Sequence, residues 1–345
     1  MNSFFSAGLR RLFFFLLCGT VFCSAGCGRG NTSDSTFTET GNSFRVVATL
    51  FPYYDFARQI GGGNIELSMV VPAGMDSHSF EPTPADIRMI QEADLLICNG
   101  GHMEQWVSRV LDSLGEDAPE TISMMDYVDV VEEEIVEGME VSGDEHEHEH
   151  GEEADLHEEA EEDESRYEIE YDEHIWTSPV NAMKITEIIS RTLQEMDPEH
   201  RESYETNAAA YTEQLEELDR EFRQVVSQGK RDIMIFGDKF PLRYFTDEYG
   251  LRYRAAFSGC SSDTEPSART IAYLIDKVRE EQIPVIYYLE LSSPRVAEII
   301  GEETGAEPML FHSCHNVTRR EFDGGVTYLQ LMENNINALR EGLCR

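Results

Sequence analysis

The sequence predicts an α/β protein with two lobes, each built on a mainly parallel four-stranded sheet that is flanked by helices. Two observations lead to this fold class. Short apolar runs alternate with helical patterns in both halves of the chain, an order typical of parallel sheets whose faces are covered by helices. A long amphipathic pattern at residues 198–228 separates the halves. The length of 345 residues also fits about two domains.

The amino end, residues 1–26, predicts a secretory signal peptide. Arg10 and Arg11 precede an apolar run, and small residues stand directly before Cys27. This arrangement is similar to a bacterial lipoprotein signal, in which the cysteine is acylated and becomes the new amino terminus. Residues 27–43, rich in Gly, Ser, Thr and Asn, then predict a flexible tether. We therefore expect an exported protein that is anchored to the cell membrane by lipid on Cys27.

Residues 44–197 predict the first lobe. Short apolar runs indicate strands at residues 44–51, 65–71, 94–99 and 121–125. Helical spacing indicates helices at residues 53–60, 85–93, 102–114 and 179–196. Ser178 and Pro179 are typical of the N-cap and the first position of the last of these helices.

An acidic, histidine-rich segment at residues 132–170 interrupts the first lobe. Within it, Glu alternates with His146, His148 and His150, and His157 follows. The segment has no apolar period that could build a core. We therefore expect a mobile loop.

The second part of the chain consists of a linking helix and a second lobe. Apolar residues recur at spacings of three and four over 198–228, a helix on the order of 45 Å long. It could run along both lobes, or it could form a coiled-coil dimer. Residues 229–345 repeat the first architecture, with strands at 232–237, 253–257, 284–290 and 307–311 and helices at 242–249, 267–281, 294–304 and 324–341.

Composition excludes some classes of partner. The formal net charge of −40 argues against nucleic acid or anionic lipid as the main partner. Much of the acidic excess lies in the segment 132–170. After the signal peptide, no stretch approaches the roughly 20 apolar residues of a membrane-spanning helix.

The cysteines suggest one disulfide. Cys260 and Cys314 both follow predicted strands of the second lobe, and thiols outside the cytoplasm tend to pair. We therefore favour a bridge between these two residues. Cys98 and Cys344 are the other candidates, and the sequence alone does not fix the connectivity.

Polar side chains at strand ends indicate a candidate metal site. Open α/β sheets bind ligands beyond the carboxyl ends of their strands, where this sequence places His78, Asp238, Glu290, His312 and His315. His174 stands just before a helix, on the return from the acidic loop. Zinc prefers about four ligands and accepts imidazole and carboxylate, so two facing lobes could supply His78, His174, Asp238 and His312. Alternatively, Asp238 caps the helix that follows it, and Glu290 is structural.

An ordered set of motifs resembles a known family. The motifs are G-M-D-S-H-S-F-E-P-T-P-A-D at 74–86, G-H-M-E-Q-W at 101–106, the acidic loop, D-E-H-I-W-T-S-P at 172–179 and D-P at 197–198. The second lobe adds F-G-D-K-F-P-L-R-Y-F at 236–245 and G-V-T-Y-L-Q-L-M at 325–332. Together they resemble the metal-binding lipoproteins that serve zinc and manganese ABC importers, and in particular their zinc branch.

The resemblance implies two α/β lobes joined by one rigid helix, with a metal ion between them. By motif, His78 and His174 match the first two histidine ligands of the family. The third ligand position falls at Gly237-Asp238, where Asp238 is the substitute because glycine has no side chain. The late aspartate of the family falls near His312, which would supply imidazole instead. This nitrogen-rich set favours Zn²⁺ over Mn²⁺.

The resemblance further implies a non-enzymatic receptor outside the cytoplasm that delivers Zn²⁺ to the membrane permease of an ABC importer, and we expect this receptor to be a monomer. The loop would capture zinc weakly as a secondary site, or it is a solvated acidic linker; its histidines are His146, His148, His150 and His157. Two other functions stay open. A secreted zinc hydrolase would use the same ligand types with an activated water, but no H-E-x-x-H helix and no obvious nucleophile motif supports it. The third possibility is a metal-binding adhesin or metal store.

Overall fold

Two parallel four-stranded sheets form the framework of the protein. The computed structural model describes residues 43–139, 171–259 and 265–345. The predicted fold class is confirmed in these ranges, because helices flank both sheets and one long helix lies between them in the chain. The predicted signal peptide lies outside the described residues, and so do Cys27, His146, His148, His150, His157 and Cys260.

The first sheet contains strands from the amino half of the chain, β1 (Phe44–Ala48), β2 (Ile65–Met69), β3 (Leu95–Cys98) and β4 (Glu120–Ser123). Their order across the sheet is β2-β1-β3-β4, with all pairs parallel. The helices of this half are α1 (Phe51–Gly61), α2 (Pro84–Gln91), α3 (Gln105–Leu114) and α4 (Pro179–Met196). As predicted, Ser178 caps α4 by accepting a hydrogen bond from Asn181 N, and Pro179 opens the helix.

The long helix α5 (Arg201–Ser227) precedes the second sheet. That sheet contains β5 (Ile233–Phe236), β6 (Arg252–Ala255), β7 (Val285–Tyr288) and β8 (Glu307–Leu310). Its order is β6-β5-β7-β8, again with all pairs parallel. The remaining helices are α6 (Arg243–Tyr249), α7 (Ala268–Glu280), α8 (Arg295–Thr304), α9 (Arg319–Asp323) and α10 (Tyr328–Cys344).

Helix α5 runs along both halves of the molecule. Its 27 residues make it on the order of 40 Å long. The predicted apolar stripe is buried and consists of Tyr204, Ala208, Tyr211, Leu215, Leu218, Phe222 and Val225. The helix contacts α1 and α4 of the first half and α6 and α10 of the second. Because helices of the same chain cover the stripe, it is not left for a coiled-coil partner.

One hydrophobic core extends through both halves, and helix α10 links them directly. Tyr328, the first residue of α10, donates its backbone N–H to Oδ2 of Asp55 in α1 at 2.6 Å. Its hydroxyl donates to the carbonyl oxygen of Trp176 at 2.8 Å. Asp55 is fully buried and also pairs with Arg58. A second, smaller core lies between the second sheet and helices α7 and α8.

The start of the acidic segment is ordered, whereas we predicted a mobile loop from residue 132. Glu132 forms an antiparallel bridge with Tyr171. Glu134 pairs with Arg243 at 2.6 Å and accepts a hydrogen bond from the Tyr253 hydroxyl at 3.1 Å. The bridge holds Glu132 within the first half, and the Glu134 contacts attach the start of the segment to the second half, so this part of the prediction differs from the structure.

The predicted disulfide is not confirmed. Cys98, Cys314 and Cys344 are free among the described cysteines, and Cys314 is fully buried. Cys260, the predicted partner of Cys314, lies outside the described residues. In the described part of the chain, no helix combines the length and the apolar character that a membrane span requires.

Glu104 is a buried carboxyl group at the amino end of α3. Its Oε2 accepts the backbone N–H groups of Asn99 and Gly100, at 2.6 and 3.1 Å. Burial nevertheless raises the pKa of Glu104 to about 7. The folded state therefore keeps this proton at pH values where an unfolded glutamate has lost it.

We expect ionisation of the buried Glu104 to cause a loss of stability of the metal-free protein as the pH rises from about 4.5 to about 7, because the charged carboxylate opposes folding. Glu104→Gln cannot ionise, and should remove on the order of 2 kcal/mol of this loss. Urea unfolding at a series of pH values measures the effect, with the exposed Glu116→Gln as control. An unchanged pH dependence in Glu104→Gln would contradict the assignment.

Candidate metal centre

The loop between β2 and α2 presents His78 to a cavity between the two sheets. Asp76 Oδ1 accepts the backbone N–H of His78 at 3.0 Å and caps the short turn that carries it. Asn316, from the second half, donates from Nδ2 to the carbonyl oxygens of Pro72 and Met75, at 2.9 and 2.8 Å. Hydrogen bonds within the loop and across to the second half therefore hold this loop in place.

His174 lies directly before the turn that leads into α4, and its side chain is fully buried. Its Nδ1 lies 3.1 Å from Asp172 Oδ1. Within the described ranges, its Nε2 has no hydrogen-bond partner although it is buried. Burial lowers the pKa of His174, but the adjacent Asp172 raises it, and the net shift is upward. A buried nitrogen without a partner is costly, so this atom is suited to bind a ligand.

The loop after β8 presents His315. Glu290 organises this loop, because its carboxylate accepts the backbone N–H groups of Ser313 and His315, at 2.8 and 3.3 Å. Cys314, between them, has a φ of 60°, a conformation that L-residues rarely adopt. This turn directs His315 toward the first half, where its Nε2 contacts Ser77 Oγ.

Three histidines from three separate segments therefore meet in one cluster. One ligand atom from each of His78, His174 and His315 lies within 4.8 Å of the other two. Burial, with His174 nearby, lowers the pKa of His78 to about 4, and burial also lowers the pKa of His315. Both imidazoles are thus neutral near pH 7, the form in which histidine binds metals.

Asp238 lines the same cavity, which has a volume of about 430 Å³, but it does not belong to the three-histidine cluster. Its carboxylate accepts hydrogen bonds from Lys239 N at 2.8 Å, Leu289 N at 3.1 Å and Ser292 Oγ at 3.2 Å. Burial raises its pKa despite these bonds. Asp238 therefore organises the loops after β5 and β7. It does not cap the helix that follows, which was the alternative role we considered, because the N-cap of α6 is Leu242.

His312 is not brought into the cluster, although we selected it as a ligand. Its backbone N–H donates to Asn335 Oδ1 at 2.7 Å, and its Nδ1 accepts the Cys314 N–H at 2.9 Å. His315 occupies the expected place instead. The sequence did contain a signal for His315, because it lies with His312 just after β8. Two histidines three residues apart in a turn need not face the same cavity, and the sequence alone does not say which one does.

This arrangement suits a transition metal. Imidazole nitrogens prefer zinc, copper or nickel, whereas manganese, calcium and magnesium prefer oxygen ligands. Zinc in proteins usually has four ligands. The cluster can therefore supply three of them, and the cavity beside it leaves room for a fourth.

Comparisons with known proteins agree with this chemistry. The model of a family described as zinc-uptake complex component A, periplasmic, matches residues 46–342. The high-affinity zinc uptake system protein ZnuA of Bacillus subtilis is 31% identical over 329 residues, which cover 95% of this chain and 96% of that protein. The zinc-binding lipoprotein AdcA of Streptococcus pneumoniae is 31% identical over 303 residues. Those residues cover 88% of this chain but only 56% of AdcA.

Solved structures show the same fold. The metal-dependent lipoprotein YcdH of Bacillus subtilis is similar with a TM-score of 0.70 and 28% identity, over 88% of this chain and all of that one. The Zn(II)-bound ZnuA-like domain of Streptococcus pneumoniae AdcA gives a TM-score of 0.69 at 28% identity, with the same coverage. Because the family model matches most of the chain, the protein belongs to the family of periplasmic A components of zinc-uptake complexes.

Proposed function

We propose that this protein captures Zn²⁺ through His78, His174 and His315 and delivers it to the permease of an ABC importer. One observation carries the proposal. Three imidazoles from distant parts of the chain place ligand atoms within 4.8 Å of one another. Histidines that serve only as surface or capping residues have no reason to converge in this way.

Asp238 is the carboxylate that we propose as the fourth ligand. It lines the same cavity as the histidines. A carboxylate offers about four acceptor positions, and three hydrogen-bond donors already approach Asp238. One position is therefore available to a metal ion. Three nitrogens and one oxygen favour Zn²⁺ over Mn²⁺.

Several further features of the function rest on the sequence and on the relatives. We propose that lipid on Cys27 anchors the protein outside the cytoplasm, as the word lipoprotein in the name of AdcA supports. Transfer to a permease is supported by the name of the Bacillus subtilis relative, a zinc uptake system protein. We propose a monomeric receptor without enzymatic activity, in which His146, His148, His150 and His157 form a secondary capture site.

Zinc titration of the stripped mature protein tests the proposal. We expect sub-micromolar binding of one Zn²⁺, much weaker binding of Mn²⁺, and unchanged affinity at this site when residues 140–170 are replaced by a flexible linker. His78→Ala should abolish tight binding. In cells starved of zinc, the same variant should fail to support zinc uptake. If the affinity follows residues 140–170 rather than His78, the cavity is not the zinc site.

A further inference from the structure

We propose that Asp172 is a positioning residue for zinc, acting through the ring of His174. The inference rests on the proposed function, because it concerns the same metal centre. The Asp172 carboxylate contacts two groups of His174 through one oxygen. Oδ1 accepts the His174 backbone N–H at 2.8 Å and lies 3.1 Å from Nδ1 of the ring.

These contacts select one state of the His174 ring. A proton on Nδ1 is held by the carboxylate, so the lone pair of a neutral imidazole is on Nε2. Nε2 is the buried atom without a hydrogen-bond partner among the described residues. Histidines that bind metals commonly donate their other ring N–H to a carboxylate, which fixes the ring and increases its basicity. Asp172 therefore orients the His174 ring so that Nε2 is free to bind the metal, and it increases the basicity of that nitrogen.

Asp172 is itself held from both halves of the molecule. Its backbone N–H donates to the carbonyl oxygen of Val131 at 2.9 Å. Its carbonyl oxygen accepts the hydroxyl of Tyr244 in α6 at 2.7 Å. The same hydroxyl accepts the Val131 N–H at 3.2 Å. Because two hydrogen bonds fix its backbone and a third joins their partners Tyr244 and Val131, Asp172 can hold the His174 ring at a defined angle.

The charge of Asp172 gives a second argument. The side chain is buried, and in the ranges 43–139, 171–259 and 265–345 its ion-pair partner within 4.0 Å is His174. A buried carboxylate without a cationic partner is costly. Zn²⁺ on Nε2 would place positive charge on the opposite side of the same ring and offset this cost. The contact thus favours the metal-bound state.

Among the three clustered histidines, the described contacts give this arrangement only to His174. The ring of His315 contacts a hydroxyl, Ser77 Oγ. Asp76 accepts the backbone N–H of His78 rather than a ring nitrogen. A substitution at Asp172 should therefore affect the metal through one ligand, without removing that ligand.

The test compares Asp172→Ala and Asp172→Asn in the full mature protein. Zinc affinity is measured by competition with a chromophoric chelator, and the geometry of the site by the visible spectrum of bound Co²⁺. We expect Asp172→Ala to lower the affinity 10- to 100-fold. Asp172→Asn keeps an oxygen acceptor but no charge, so it should lose less affinity and keep more of the wild-type Co²⁺ spectrum.

Asp197→Asn is the matched control, because Asp197 Oδ2 makes a similar contact with His200 Nδ1, at 2.7 Å, away from the cavity. It should leave zinc affinity unchanged. Wild-type affinity in both Asp172 variants would overturn the proposal, even if their unfolding midpoints fall. Different results would contradict the proposed function itself. These are a wild-type protein that does not bind zinc tightly, or a His78→Ala variant that still binds zinc tightly.

Discussion

Replacing His315 by asparagine should lower zinc affinity by more than the roughly 10- to 100-fold expected for losing an outer partner of a ligand. The reason is that His315 supplies one of three clustered ligand atoms. Its loop is fixed by Glu290 through backbone groups, which the substitution leaves in place. The remaining two histidines cannot by themselves form a three-nitrogen site. Competition titration with Zn²⁺ measures the loss.

His312→Asn is the matched control for this prediction. The asparagine oxygen can still accept the Cys314 N–H that now donates to His312 Nδ1. Zinc affinity should therefore stay within about threefold of the wild type, a change of less than roughly 0.7 kcal/mol. If His312→Asn abolishes binding and His315→Asn does not, the ligand set predicted from the sequence is correct and the cluster is not the zinc site.

Trp176→Ala should lower the free energy of unfolding by about 3–5 kcal/mol. The side chain is fully buried. Its Nε1–H donates to the carbonyl oxygen of Ser313 at 2.9 Å, which joins the two halves. Its ring centroid lies 5.5 Å from that of His174 and 5.3 Å from that of His315. Zinc affinity should therefore fall together with stability.

Phe222→Ala separates these two effects. Phe222 in α5 is also fully buried, and it packs against Phe245 and Tyr249. Its truncation should cost a similar amount of stability. Zinc affinity of the folded protein should not change, because the ring does not line the cavity. Urea unfolding and zinc titration of both variants provide the comparison. If Trp176→Ala and Phe222→Ala lose the same amount of zinc affinity, the loss follows from the lower stability of the fold and not from the contacts of Trp176 with the histidines.

Much of the fold could be predicted because its signals are local. Apolar runs marked the strands, and the spacing from Tyr204 to Val225 marked the buried face of α5. Short elements gave weaker signals. Helix α9 has only five residues, too few to show a helical period, and we did not predict it. The last helix begins at Tyr328 rather than at residue 324, because Thr327 and Gln330 form a capping box there.

The site was harder to predict because part of it depends on backbone turns and distant contacts. Motifs identified His78 and His174. The choice between His312 and His315 depends on the positive φ of Cys314, which a side-chain pattern does not reveal. The ordered start of the acidic segment depends on the pairing of Glu134 with Arg243, more than 100 residues away in the chain. Composition alone predicts solvation for such a segment.

The contact between α10 and α1 has a consequence for biogenesis. Asp55 belongs to the first helix, but its Oδ2 receives the N–H of Tyr328, which is synthesised 273 residues later. The carbonyl oxygen of Trp176 likewise gains its hydrogen bond only after Tyr328, whose hydroxyl is the donor, has been synthesised. The amino-terminal half therefore cannot complete its core while the ribosome is still making the rest of the chain. We expect nascent chains that stop before α10 to remain sensitive to proteases throughout, including the first sheet.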